Sequence, residues 1–158
     1  MIVDINKVKN KLNKIRLKKK IVLCHGVFDL LHLGHIKHFK SAKKYGDHLV
    51  VSITANKFIN KGPGRPIFNQ QERLDFLKEL RIIDDVIISN SSSAEDVIKI
   101  VKPHYYIKGP DYKNNFKDKT KKILLEKKIV ESFGGQIKYT NDEMFSSSNL
   151  INSSGYLY

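Results

Sequence analysis

The chain has 158 residues, 41% of them hydrophobic and 28% charged, with a formal net charge of +13. That length suits one domain with a real core, and no apolar run approaches the roughly 20 residues needed to span a bilayer. Residues 1–20 lack the apolar stretch and small-residue cleavage site of a secretory signal, so a cytoplasmic location is expected. The single cysteine, Cys24, excludes an intrachain disulfide and an all-cysteine metal site. The basic excess is nearly all lysine, with arginine only at Arg16, Arg65, Arg73 and Arg81. Reading of bases leans on arginine's planar fork. The lysines at 18–20 and 117–128 therefore read as solvated faces, and no specific nucleic-acid partner is expected. A basic surface still attracts small anionic substrates.

Residues 5–18 place Ile5, Val8, Leu12 and Ile15 at helical spacing and predict a basic N-terminal helix (taken as 1–19), ahead of a core over 20–152. A first strand follows at 20–27, then a helix at 34–45 and a β-branched strand at 47–54. Two glycines and two prolines make 61–66 a loop. Asn69 is placed to cap a helix running to about Arg81, with Leu74, Leu77 and Leu80 on one face. A third strand at 85–89 precedes Ser91, Ser92 and Ser93, which with Glu95 and Asp96 read as the cap of a helix through Val101. A fourth strand at 105–108 ends at Gly109-Pro110. A helix over 119–133 stops at Gly134-Gly135, a last strand occupies 136–139, and Ser146 or Ser147 opens a short final helix.

Strands alternating with helices predict one α/β domain over 1–158, a Rossmann-like parallel sheet of about five strands with helices on both faces. Ligands in such folds bind at the carboxyl ends of the strands. The loops expected there, 24–35, 108–112 and 141–148, hold the unusual residues. His32-Leu33-Gly34-His35 sits where a strand gives way to a helix, whose unpaired N–H groups and positive dipole end suit phosphate. Two imidazoles there add donors, and Gly34 lets the backbone come close. A metal site using His25, His32, His35 and His38 is the competing reading, but only Asp29 lies nearby to complete it. Ordinary surface histidines are the plainer one.

Gly26-Val27-Phe28-Asp29-Leu30-Leu31-His32-Leu33-Gly34-His35 resembles the signature of the cytidylyltransferase-like nucleotidyltransferase superfamily, and the resemblance runs over roughly residues 20–152. It is similar both to glycerol-3-phosphate cytidylyltransferases and to heptose-phosphate adenylyltransferase domains. The resemblance implies a phosphorylated acceptor attacking the α-phosphorus of a nucleoside triphosphate, with pyrophosphate leaving, Mg²⁺ on the phosphates and no covalent protein nucleophile. By position, His32 and His35 would act on the triphosphate, while Gly26, Val27 and Phe28 would shape its turn. Ser146, Ser147 and Ser148 read as a helix cap from the residues, and as a second phosphate-binding motif from the resemblance. No arginine occurs in 140–144, unlike many cytidylyltransferases, which leans toward the heptose-type branch.

Lys108, Asp111 and Tyr112 follow a strand end, where an acid and an aromatic ring suit a base's exocyclic amine and face; a simple chain-turning loop is the bland alternative. Lys61, Arg65 and Arg73, with Asp29, are assigned to the acceptor, Lys61 and Arg73 also to catalysis; otherwise Arg73 is a surface ion-pair residue. The resemblance also implies a homodimer through the 80–86 region. The expected partners are CTP or ATP, with a slight lean to CTP, and a phosphorylated sugar or polyol. The product would be a nucleotide sugar for surface polysaccharide such as capsule or lipopolysaccharide. Adenylyl transfer to a heptose-type sugar phosphate or a cofactor precursor is the enzymatic alternative. A noncatalytic nucleotide- or nucleic-acid-binding module is the alternative of another class.

Overall fold

The computed structural model describes residues 5–113 and 122–142. Five strands, β1 (Ile21–Gly26), β2 (His48–Thr54), β3 (Asp85–Ser89), β4 (Tyr105–Lys108) and β5 (Gln136–Tyr139), form one sheet in the order β3-β2-β1-β4-β5. Every adjacent pair is parallel. Among the described residues five α-helices connect or flank them: α1 (Ile5–Ile15), α2 (Leu33–Lys43), α3 (Gln70–Lys78), α4 (Glu95–Val101) and α5 (Lys122–Ser132). The predicted α/β Rossmann-like class is the one observed.

Alternation along the central strands supplies both faces of the sheet. Val22 and Cys24 of β1 point into a core with Phe39 and Ala42 of α2 and Leu74 and Leu77 of α3. Their neighbours Ile21 and Leu23 point the other way, against Val8 and Leu12 of α1, Val97, Ile98 and Val101 of α4, and Val130 of α5. Such two-sided burial is why β1 and β2 read as continuous apolar runs. Burial also pushes the Cys24 thiol well above its usual pKa, so it behaves as a core residue.

The chain winds outward from β1 to β2 and β3, then crosses back to place β4 on the other side of β1. Cys24 lies in register with Ile107 near the carboxyl ends of these two strands. A topological switch there opens a crevice between the loops that follow β1 and β4.

Two caps differ in how legible they are. Asn69 caps α3 as expected, accepting from the Gln71 and Glu72 backbone N–H groups while Glu72 reaches back to the Asn69 N–H. The serine triplet does not cap α4. Its N-cap is Ala94, with no side-chain cap bond, and the Ser93 hydroxyl donates instead to Glu95. A buried carboxylate from α5, Glu126, accepts from the Ala94 N–H at 3.2 Å. The final helix expected at Ser146 or Ser147 lies outside the described residues.

Candidate functional site

The crevice at the switch point is a cleft of about 280 Å³. The loop after β1, the first turns of α2, the turn after β4 and the stretch after β5 build its walls. Among the sequence candidates, Gly26, Val27, Phe28, Asp29, His32, Gly34, His35, Lys61, Lys108, Asp111 and Tyr112 all line it. The expectation that segments far apart in sequence converge on one site therefore holds for its described parts. Ser146, Ser147 and Ser148 lie outside the described residues.

Local chemistry dictates how the imidazoles are held. His32 is the N-cap of α2, and its Nδ1 accepts from the Gly34 N–H at 3.1 Å. His35, at the third helical position, returns the bond: its Nδ1 accepts from the His32 N–H at 3.4 Å. This is a capping box made of two histidines where Ser and Glu are usual. A ring nitrogen that accepts carries no proton, so each neutral ring holds its proton on Nε2 and is a donor there. The two rings stack at 3.9 Å between centroids, which opposes their both becoming charged. Burial first, then the charges of His32, His38 and Lys61, lowers the His35 pKa to about 3; burial lowers His32 as well. At neutral pH the pair is an uncharged set of N–H donors.

The turn beneath them is tight. Phe28 sits at φ 49°, a left-handed conformation uncommon for a bulky residue. Its ring meets His35 edge-on at 5.3 Å and packs against Phe39. A Cβ on Gly26 would come within 3.1 Å of the same ring, so that position tolerates little beyond glycine.

Two further imidazoles line the cleft. The pattern singled out His25 and His38 only as weak metal ligands. His25 Nδ1 bonds the Ser52 hydroxyl at 3.1 Å, and burial followed by the Lys108 charge lowers its pKa to about 3. His38 bonds Thr140 Oγ1 at 3.3 Å. Burial lowers its pKa, with Asp142 pulling the other way. The signal for His38 was its place three residues after His35 on the same helical face. Thr140 and Asp142 carried none, because they approach through the β4–β5 pairing. Asp142 Oδ1 accepts from the Ser41 hydroxyl at 2.8 Å, and its buried Oδ2 has no hydrogen-bond partner among the described residues.

The residues assigned to an acceptor divide. Lys61 is exposed at the cleft edge. Asp29, 3% exposed, spends its carboxylate on three donors: Ile67 N–H and Phe68 N–H at 3.0 Å each, and Arg65 Nε at 2.8 Å. Burial raises this carboxyl, but those bonds and the Arg65 charge outweigh it and leave the pKa below the usual range. Arg73 is 2% exposed and donates to Phe68 O, Val27 O and Asn56 Oδ1 at 3.0, 2.6 and 2.7 Å. It borders an apolar hollow between α3 and the loop after β1 rather than the cleft. Arg73 and Arg65, expected to grip an acceptor phosphate, are bonded here to protein acceptors and do not line the cleft. Their guanidiniums, like Asp29, tie the 65–68 loop to the turn after β1 from behind. Sequence showed basic residues near the site, but not that a buried acid and backbone carbonyls absorb them.

Among the described residues, no helix is long and apolar enough to cross a membrane.

Comparison with known proteins bears on the same segments. Residues 23–153 match the cytidylyltransferase-like family model. The chain is 40% identical over 69% of its length to the bifunctional protein HldE of Aliarcobacter butzleri, and 37% identical over 84% to that of Geobacter metallireducens. It spans about a quarter of these relatives, 23% and 26% of their lengths respectively. Among solved structures, a lipopolysaccharide core biosynthesis protein from Thermoplasma volcanium is similar, with a TM-score of 0.63 and 28% identity, covering 81% of this chain and 99% of that one. Pantoate-β-alanine ligase from Francisella tularensis, at 20% identity and a TM-score of 0.65 over 95% of this chain and 72% of its own, shares the fold. A family match over most of the sequence, on a sheet whose switch-point cleft gathers the signature residues, shows that the chain belongs to the cytidylyltransferase-like family of nucleotidyltransferases.

Proposed function

We propose that the cleft binds ATP and that the chain transfers its adenylyl group to the phosphate of a phosphorylated sugar, releasing pyrophosphate. The observation that carries this is the reciprocal histidine cap, which turns two neutral rings into Nε2–H donors at a helix N-terminus within the cleft. A phosphate oxygen of the acceptor attacks the α-phosphorus, and the bond from that phosphorus to the bridging oxygen breaks. Pyrophosphate departs with the electron pair. The attacking oxygen is already anionic, so no general base is needed. Imidazoles held neutral fit that requirement: they donate N–H bonds to the charge that builds on the phosphate oxygens.

Lys61 and Lys108 line the same cleft and bring positive charge to it. Mg²⁺ on the triphosphate would supply further charge neutralisation. Asp142, with its Oδ2 unpartnered among the described residues, suits a cation better than Asp29, whose oxygens are already bonded. Ser146 to Ser148 remain assigned to the triphosphate by resemblance alone.

The slight sequence lean to CTP gives way to ATP here because the relatives compared are HldE proteins, in line with the heptose-type lean of a chain without arginine in 140–144. The test is pyrophosphate release with each of the four triphosphates against a panel of sugar and polyol phosphates. Release with ATP and a sugar phosphate, with the nucleotide sugar seen by mass, is expected. Release with CTP and a polyol phosphate alone would replace this reading with the cytidylyl one.

A further inference from the structure

We propose that Glu126 is a positioning residue for the nucleotide side of the cleft, acting through Lys108; this rests on the reading that the cleft takes a nucleoside triphosphate. Glu126 lies on α5, is 4% exposed and does not line the cleft. Three donors from two segments converge on its carboxylate: the Ala94 N–H before α4 at 3.2 Å, and from β4 the Tyr106 hydroxyl at 3.1 Å and Lys108 Nζ at 3.4 Å. Burying a carboxylate costs more than burying an apolar side chain of the same size, unless a partner needs it there. The Ala94 and Tyr106 bonds satisfy lone pairs, but neither brings a charge. Lys108 does.

Lys108 is the member of this network that reaches the site. It is 8% exposed, yet it lines the cleft. Its ammonium lies 5.0 Å from the Tyr106 ring centroid and 4.4 Å from that of Tyr112, which also lines the cleft. The ammonium is thus held by a carboxylate on one side and lies against an aromatic ring of the nucleotide loop on the other. A lysine stem without such a partner samples many rotamers. The chain turns tightly straight afterwards: a Cβ on Gly109 would come within 2.7 Å of Asp111 Oδ1. Displacing Lys108 therefore disturbs Tyr112 and Asp111 together. Glu126 touches no ligand; it fixes the charge and the ring that do.

The test is calorimetric binding of ATP, alongside kcat and KM, for Glu126→Gln, Lys108→Met and the double variant. Glu126→Gln keeps the shape and an acceptor oxygen but loses the charge. ATP binding is expected to weaken about tenfold in each single variant, with kcat falling in Lys108→Met as well, and the double variant to be no worse than Lys108→Met in either quantity. Glu126→Asp keeps the charge on a shorter stem; it should lie between wild type and Glu126→Gln, and it serves where the latter folds poorly. Losses that add in the double variant would overturn the inference. So would a lowered melting temperature with unchanged ATP affinity, the mark of a purely structural role. Wild-type protein that binds none of the four triphosphates would overturn the functional reading itself, a result distinct from a wild type that binds ATP and a Glu126→Gln variant that binds it equally well.

Discussion

Two basic regions border the same end of the sheet, and they use their side chains in opposite ways. Around His32 and His35 the backbone donates to the Nδ1 atoms, which leaves the proton of each ring on Nε2. Around Arg65 and Arg73 the side chains donate to Asp29, to Asn56 and to the Val27 and Phe68 carbonyls, and Arg73 is buried as it does so. Cationic character near a site is thus a poor guide to which group meets the ligand. What decides is whether neighbouring acceptors have already taken the donors.

The largest effect that separates the two regions belongs to His35→Ala. Losing one donor aimed at developing phosphate charge costs about 3–4 kcal/mol of barrier, a fall in kcat of roughly 100- to 1000-fold. The melting temperature should change little, because the ring is only half-buried and the cap it serves is worth about 1 kcal/mol. Turnover near the wild-type value in steady-state assays would remove the pair from the mechanism.

Arg73→Ala should show the reverse balance. It leaves the Val27 and Phe68 carbonyls and Asn56 Oδ1 without their charged donor, so a stability loss of about 3 kcal/mol or more is expected in urea unfolding. Activity should fall as the Val27–Phe28 turn loosens, with no selective rise in the KM for the acceptor. A stable variant with only a raised acceptor KM would return Arg73 to the ligand side.

The sequence made the five strands, their order of appearance and the signature loop legible, because two-sided burial leaves apolar runs and glycine marks the tight turn. It also placed the Asn69 cap, whose side chain acts on its own neighbours. It missed contacts that only the sheet order creates. Thr140 reaches His38 because β5 lies beside β4, and Glu126 replaces the serine cap on Ala94 because α5 packs over α4. Nor did it show what Arg73 bonds: an arginine five residues beyond Phe68 looks the same whether it faces solvent or the carbonyl behind it.

Acid should expose the difference in charge state. His25 and His35 have folded pKa values near 3, against about 6.5 unfolded. Between these values the unfolded chain binds more protons than the native one, so stability rises with pH through the window. It is fully present above about pH 6.5 and is lost as pH falls toward 3. Moving from pH 7 to 5.5 should cost about 1 kcal/mol for each ring, less for His35 because of its partial exposure. Denaturant midpoints measured across that range check the sign. A midpoint flat down to pH 4.5 would mean that the rings carry protons in the native state.

The smallest effect is expected at Lys61, the acceptor-side candidate that lines the cleft and remains exposed. An exposed ammonium interacts through high dielectric and is screened by salt, so its contribution to holding an anion is about 1 kcal/mol. Lys61→Ala should therefore raise the acceptor KM by roughly fivefold at low ionic strength and by less than twofold near 0.5 M salt, where the screening length falls to a few ångströms. Arg65→Ala offers the contrast, since its guanidinium pairs with Asp29 in a buried setting that salt reaches poorly. Its effect should appear as lost stability at any ionic strength, not as a salt-dependent KM. Equal salt dependence in the two variants would mean that Arg65 leaves Asp29 to meet the acceptor, and the boundary between ligand-facing and loop-holding cations would have to be redrawn at that residue.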